Sequence, residues 1–478
     1  MNYQVNDRLG IGDELVTVRW VGSVQQWGDS VVALGIEWDD PSRGKNDGIL
    51  NGIRYFTPIH TNGGSFIKSS NSKIQLKKSF IDVLVENYGC GLDFREINLG
   101  SKFTQSYGFN KLNQFTQDFD NLKTITLERK MIDRSGYLSD LNLPKLLHLD
   151  LCFNLFTNFN QIVNILNICP IIQQLNVNGN RFILFNNENH SFPIKILKLS
   201  SCFIKIDLLI SILSNFPQVE ELYLSGNDYT DDDISKLFGV INLKLNLLDL
   251  SFNQLTLIPN LSINTIILTN NSIKFLNFPA NFSTKILDLR YNLINDWCEC
   301  DKLIELKELK QLRINGNPLF DDLSPEEQAI YIIARTSFHG RLNGTTPSQP
   351  EVINADLYFI SQVKNGKIDY NKGDRWKNLL QLYQIDDNNI IADSKTHLQR
   401  KLLKLNINYK NFSFSRWFLI SNSVLRLKGI ISNKWNLPIL DLKVYYLLDN
   451  VRLYLDDDIS ILDDYRFNQE QELYVEIS

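Results

Sequence analysis

The chain has 478 residues, too many for one ordinary hydrophobic core, and about two to four domains is the expectation at this length. Hydrophobic residues make up 43% and charged residues 22%, and 49 bases against 54 acids leave a net charge of −5. That balance argues against a nucleic-acid or anionic-membrane protein. No apolar run reaches the roughly 18 residues of a membrane span, and the start Met-Asn-Tyr-Gln-Val-Asn-Asp has no leader character. The six cysteines show no CxxC pairing and read as reduced thiols, so a soluble, cytoplasmic protein is expected.

Residues 1–80 read as an all-β domain. Val16-Thr17-Val18-Arg19-Trp20-Val21 alternates with the period of a half-buried strand, and Leu34 to Trp38 forms a second apolar run. Glycines at 22, 28, 35, 44, 48, 52, 63 and 64 punctuate short segments, which predicts a small barrel with tight turns. Within it, Gly44-Lys45-Asn46-Asp47-Gly48 places a base, an amide and an acid between two glycines, with Trp38 upstream and Tyr55, Phe56 and Phe66 downstream. Glycine at both ends permits a tight fold-back that holds Lys45 and Asn46 outward. Lysine for a carboxylate, an amide for backbone and a pocket for a ring suit an acidic peptide with an aromatic end. A surface turn with a solvated lysine is the bland alternative on the loop alone.

Leu34-Gly35-Ile36-Glu37-Trp38-Asp39, Pro41, the GKNDG loop, Gly52-Ile53-Arg54-Tyr55-Phe56 and Gly64-Ser65-Phe66-Ile67 together resemble the CAP-Gly domain, in its order and spacing. One departure is Thr57-Pro58, where many members carry a cysteine; it reads as a packing variation. The resemblance implies an SH3-like barrel that binds acidic-aromatic C-terminal tails such as the Glu-Glu-Tyr end of α-tubulin. Lys45 and Asn46 would take the polar part, and Trp38, Phe56 and Phe66 would wall the slot for the ring.

Residues 81–120 are a connector of little legible pattern; Phe80-Ile81-Asp82-Val83-Leu84 fits a strand or a helix. From about Leu122 a repeat takes over. Leu146-x-x-Leu149-x-Leu151-x-x-Asn154 recurs with frames ending at Asn180, Cys202, Asn227, Asn253, Asn271, Asn292 and Asn317, and a weaker copy at Leu122-x-x-Ile125-x-Leu127 leads the stack. Spacings of 18 to 26 residues are those of a leucine-rich repeat. Each unit yields one short strand, and its asparagine bonds the backbone where the chain turns away. One unit cannot bury its apolar face alone, so the units stack into a curved α/β solenoid over residues 121–345. The concave face would present Asp150, Asn176, Lys198, Tyr223, Asp249, Ile267, Asp288 and Arg313, a mixed-charge surface suited to a protein partner. Ser324-Pro325-Glu326-Glu327 is a helix start, with Ile330 to Ala334 as an apolar capping face. Residues 346–399 read as further capping helix and linker.

Residues 400–478 alternate as a strand at Leu402 to Tyr409, take helical spacing at Ser423 to Ile431, then return to strands at 444–448, 451–455 and 472–477. That order resembles an α+β ubiquitin-like β-grasp domain. The chain ends Val-Glu-Ile-Ser without a Gly-Gly tail, so a docking role is expected rather than conjugation.

No catalytic or metal site is expected. A Walker motif would need glycine at 39 and a hydroxyl at 46, where Asp39 and Asn46 stand. The five histidines are scattered, Cys298-Glu-Cys300 lacks a second ligand pair, and the acidic triplets at 231–233 and 456–458 do not fit an EF-hand. A non-enzymatic protein without cofactors follows.

CAP-Gly, leucine-rich repeats and a ubiquitin-like domain in this order are similar to the tubulin-specific chaperone E family along nearly the whole chain. The resemblance implies capture of α-tubulin by tail and body. It also implies assembly, or dissociation, of the α/β-tubulin heterodimer with other tubulin-folding cofactors, at the cytoskeleton. A microtubule-associated CAP-Gly adaptor and a shuttle that docks the proteasome through the ubiquitin-like domain are the rival expectations. The lack of a coiled coil weighs against the adaptor.

Overall fold

The computed structural model describes residues 3–28, 31–89, 119–138, 141–186, 190–280, 282–370, 372–386, 402–448, 451–465, 467 and 470–477. Most of the connector, Cys90, His397 and Ser478 therefore lie outside the described residues. The chain divides into two compact units, Met1–Asp321 and Asp322–Ser478.

The first unit opens with a barrel of β1 (Arg8–Ile11), β2 (Glu14–Ser23), β3 (Val32–Trp38), a short hairpin of β4 (Ile49–Leu50) and β5 (Ile53–Arg54), and β6 (Gly64–Lys68). The main sheet runs β1-β2-β3-β6, antiparallel throughout. Leu9, Val16, Val18, Leu34 and Ile36 fill its core. A bulge between Val18 and Trp20 shifts the register against β3, so the strict alternation read from the sequence breaks there.

The segment left open as strand or helix is a helix, Phe80–Leu84. Ser79 caps it, accepting from the Asp82 amide while Asp82 accepts from Ser79. Phe80 and Leu84 are fully buried, each contributing about 2–3 kcal/mol of apolar burial.

The solenoid strands pair in parallel and in step from Thr124–Thr126 to Gln311–Arg313. Each is three residues long, and its central leucine or isoleucine points into the stack, as Leu149, Leu175, Leu222 and Leu287 do. The asparagines act as the spacing requires. Asn227 Nδ2 donates to the carbonyls of Leu199 and Leu224, and its Oδ1 accepts from the amides of Cys202 and Phe203. Asn154 and Asn253 bridge neighbouring repeats in the same manner. Cys202 substitutes only a thiol, 3.3 Å from the Val177 carbonyl, and burial pushes that thiol up to about 12.

In the second unit, Ser324 caps the helix Pro325–Thr336 with the reciprocal Glu327 bond expected of its sequence. This helix groups with the helices that follow. Ala334 is buried among Phe359, Ile360, Trp376 and Leu379 of the helices Gln349–Lys364 and Asp374–Leu382. The stretch expected to run from capping helix into linker is thus, as far as residue 386, packed helical structure around Trp376.

The C-terminal sheet runs Phe412–Leu419, Leu402–Tyr409, Glu470–Ile477, Leu442–Leu448, Val451–Tyr454, with its central pair parallel. The helix Val424–Trp435 lies against one face, burying Val424, Leu427 and Ile431 among Leu405, Ile407 and Leu473. A parallel central pair with a helix between the second and third strands is the β-grasp.

Candidate functional site

The glycine loop is held by backbone. The amides of Lys45 and Asn46 both donate to the Gly64 carbonyl, at 2.7 and 3.1 Å, and the Gly64 amide donates to Asn46 O at 2.8 Å. Asn46 Oδ1 accepts from the Gly48 amide at 3.0 Å, so this side chain shapes the turn as well as facing out. Its amide nitrogen has no bond among the described residues. Asp47 points away into a clasp with Arg54, which donates Nη2 to Oδ2 and Nη1 to the Asp47 carbonyl, both at 2.9 Å. The hydrogen bond from Arg54 draws the Asp47 carboxyl below its ordinary range. Lys45 is exposed and makes no salt bridge among the described residues.

The two glycines serve different needs. Gly48 has φ +87°, and a Cβ there would lie 2.0 Å from the Phe56 carbonyl oxygen. Gly44 has φ −65°, open to any residue; it is glycine because a Cβ would meet the Asn62 carbonyl oxygen at 1.9 Å. Of the two glycines that permit the fold-back, only Gly48 therefore uses a positive φ. Gly35 is no turn residue either: it lies mid-strand, where a Cβ would enter the Phe56 ring at 2.5 Å.

Over that floor stands an aromatic cluster. Tyr55 and Phe66 meet edge-on at 5.5 Å between ring centroids, and Phe56 and Phe66 at 5.4 Å. Trp20 completes it, 4.8 Å from Tyr55 and 6.2 Å from Phe66. Trp20 was not among the expected site residues; a tryptophan in a strand opposite a glycine, Gly35 of β3, is the signal that marks it. Trp38 is placed differently. Its ring packs against the barrel core, and Nε1 donates to Ser65 Oγ at 2.9 Å. Ser65 and Phe66 are successive strand residues and point to opposite sheet faces, so the structure brings Tyr55, Phe56 and Phe66 together but sets Trp38 behind them.

On the concave face, the predicted positions occupy the last residue of each solenoid strand. Several are engaged with one another. Asn176 Nδ2 donates to Asp150 at 2.9 Å, Asp249 accepts from the Ser251 amide, and the Lys198 ammonium lies 5.2 Å from the Tyr223 ring. Burial, then the bond to Glu221, pushes the Tyr223 hydroxyl up to about 12. Asp288 is only 3% exposed and is gripped by Arg290 at 2.8–3.1 Å, with Arg313 3.6 Å away. Asp288 is thus a buried brace rather than an open contact.

Residues 5–72 match the family model of the CAP-Gly domain. Protein PAC2 of Saccharomyces cerevisiae is 29% identical over 473 residues, covering 93% of this chain and 91% of that protein. Tubulin-specific chaperone E of Xenopus laevis is 28% identical over 398 residues, covering 77% and 72%; the Homo sapiens protein of the same name is 26% identical over 405 residues, covering 78% and 73%. The chain is thus similar to tubulin-specific chaperone E proteins along most of its length. The CAP-Gly domain, the repeat solenoid and the β-grasp domain follow in the order expected from the sequence. Among the described residues no helix is long and apolar enough to cross a membrane, and no cluster of His, Cys, Asp or Glu is placed to hold a metal ion.

Proposed function

We propose that this protein is a tubulin-folding chaperone. It binds the acidic-aromatic tail of α-tubulin at the glycine loop and the tubulin body along the solenoid. With other tubulin-folding cofactors it promotes assembly of the α/β heterodimer, and the same two-point grip can pull the heterodimer apart. The observation that carries the reading is a lysine and an amide nitrogen without partners among the described residues, on a backbone-locked loop joined through Gly64 to the cluster of Trp20, Tyr55, Phe56 and Phe66. An exposed ion pair contributes about 1 kcal/mol or less, so the aromatic cluster must supply most of the tail affinity. A tethered second contact then raises the effective concentration of the first. GTP hydrolysis in such an assembly belongs to tubulin.

The test is retention of soluble tubulin by the full chain. Lys45→Ala with Asn46→Ala should abolish capture of a peptide ending Glu-Glu-Tyr while the circular dichroism spectrum stays that of the parent. Capture at parental strength would overturn the assignment of the loop. Co-sedimentation separates the adaptor alternative, since a chaperone binds soluble tubulin and pellets poorly with microtubules.

A further inference from the structure

The glycine loop is the tip of two limbs, and both are rooted on the solenoid. The first limb leaves β3 at Asp39 and reaches Gly44, whose amide donates to the Pro41 carbonyl. The second runs from Ile59 to Gly64 and meets the first where Lys45 and Asn46 bond Gly64. At the root of the first limb, Arg8 grips Asp39 with both Nη atoms at 2.5 Å, and Arg181 of the solenoid adds Nη2 at 3.3 Å from Asp39 Oδ1. Arg8 also reaches across to the Gly179 carbonyl of the solenoid at 3.5 Å. Arg8 has no exposed side-chain surface and Arg181 only 13%, so water does little to screen the cluster.

At the root of the second limb, Glu37 accepts from the Ile59 amide at 2.5 Å and from Arg19 Nε at 2.6 Å. The neighbouring His60 ring stands edge-on to Phe203 of the solenoid, 5.8 Å between centroids. Phe203 is in turn covered by the Arg181 guanidinium at 4.7 Å. Phe203 holds φ +51°, an unfavourable conformation for a bulky side chain, so its placement is imposed by its surroundings.

We infer that Arg181 and Phe203 are positioning residues for the tail-binding loop: the solenoid sets the shape of the slot, so that tail affinity depends on solenoid residues that never touch the tail. This rests on the proposed tail-binding role of the loop. Packed side chains and charge networks carry such coupling, and effects of 5- to 150-fold on affinity are typical. The network also makes the barrel and solenoid a single body, which gives the two grips on a tubulin molecule a fixed separation rather than a tether's spread of distances.

The experiment uses the full chain and a fluorescent peptide ending Glu-Glu-Tyr, with amide hydrogen exchange at residues 44–48 as a second readout. R181A/F203A should weaken peptide binding about tenfold and speed exchange in the loop, although Lys45 and Asn46 are untouched. Should that pair disturb the solenoid's circular dichroism, R181Q and F203L alone decide, each with a smaller loss in the same direction. Parental affinity together with parental exchange would overturn the inference. K45A/N46A is the control for the parent reading. If it binds the peptide normally, tail binding at this loop fails, and the exchange measurement still reports whether Arg181 and Phe203 hold the loop in place.

Discussion

The glycine loop and the concave face both carry charge, but they spend it in different ways. On the loop, backbone bonds to Gly64 do the holding, which leaves Lys45 and the Asn46 amide nitrogen for a ligand. On the face, side chains hold one another: Asn176 with Asp150, Tyr223 with Glu221, Arg290 and Arg313 with Asp288. A polar group already paired must lose that partner before it can bind anything else, and the net gain from exchanging bonds is small. Under the proposed function, the contrast assigns selectivity to the loop and contact area to the solenoid.

The largest expected effect tests the backbone-held side of this contrast. Gly48→Ala adds a Cβ 2.0 Å from the Phe56 carbonyl at a position with φ +87°. The strain and the clash together should destabilise the loop by about 3 kcal/mol. Binding of the tail peptide should vanish and exchange at residues 44–48 should approach that of an open chain. A variant that binds normally would show that the loop's shape is not what presents Lys45.

A smaller effect tests the side-chain-held region. Asp288→Ala strips two arginines of a buried partner, and a loss of about 1–3 kcal/mol is expected. The denaturant midpoint should fall while affinity for the tail peptide stays unchanged. Lys45→Ala should do the reverse. If Asp288→Ala instead cost tubulin retention at full stability, the face would be a site of selectivity and the contrast would break.

Much of this was legible because it is local or periodic. The repeat frame predicts which leucines are buried and why asparagine recurs, since each asparagine answers backbone groups only a few residues or one repeat away. The capping boxes at Ser324 and the alternation of Leu402 to Tyr409 are legible for the same reason. The illegible part is what distant segments do to each other. Nothing near Gly44 in the sequence reveals that the Asn62 carbonyl occupies its Cβ position, and a bulge of one residue was enough to hide the facing of Trp20. Asp39 stands in a recognisable motif, yet its partner Arg181 lies 142 positions away, in a repeat where it looks like any solvated arginine.

That partnership gives the mildest prediction, because it needs only a change of pH. Burial, the largest single influence, would raise the Asp39 carboxyl; Arg8, Arg181 and Arg19 together outweigh it, and the folded value lies below the ordinary 3.8. A carboxyl depressed on folding stabilises the folded form above its unfolded value, and that contribution is lost as pH falls from there through the folded value. The docking of barrel on solenoid should therefore be insensitive to pH from neutrality down to about 4 and weaken below it. Arg181 does not titrate in this window: burial, with repulsion from Arg8, brings it down only to about 10. Asp39→Asn should weaken the docking at neutral pH and remove part of the acid sensitivity, as read by amide exchange across residues 39–44 between pH 3 and 7. Should the variant keep the parent's full acid response, another carboxylate carries it, and Asp39 is not what joins the glycine loop to the solenoid.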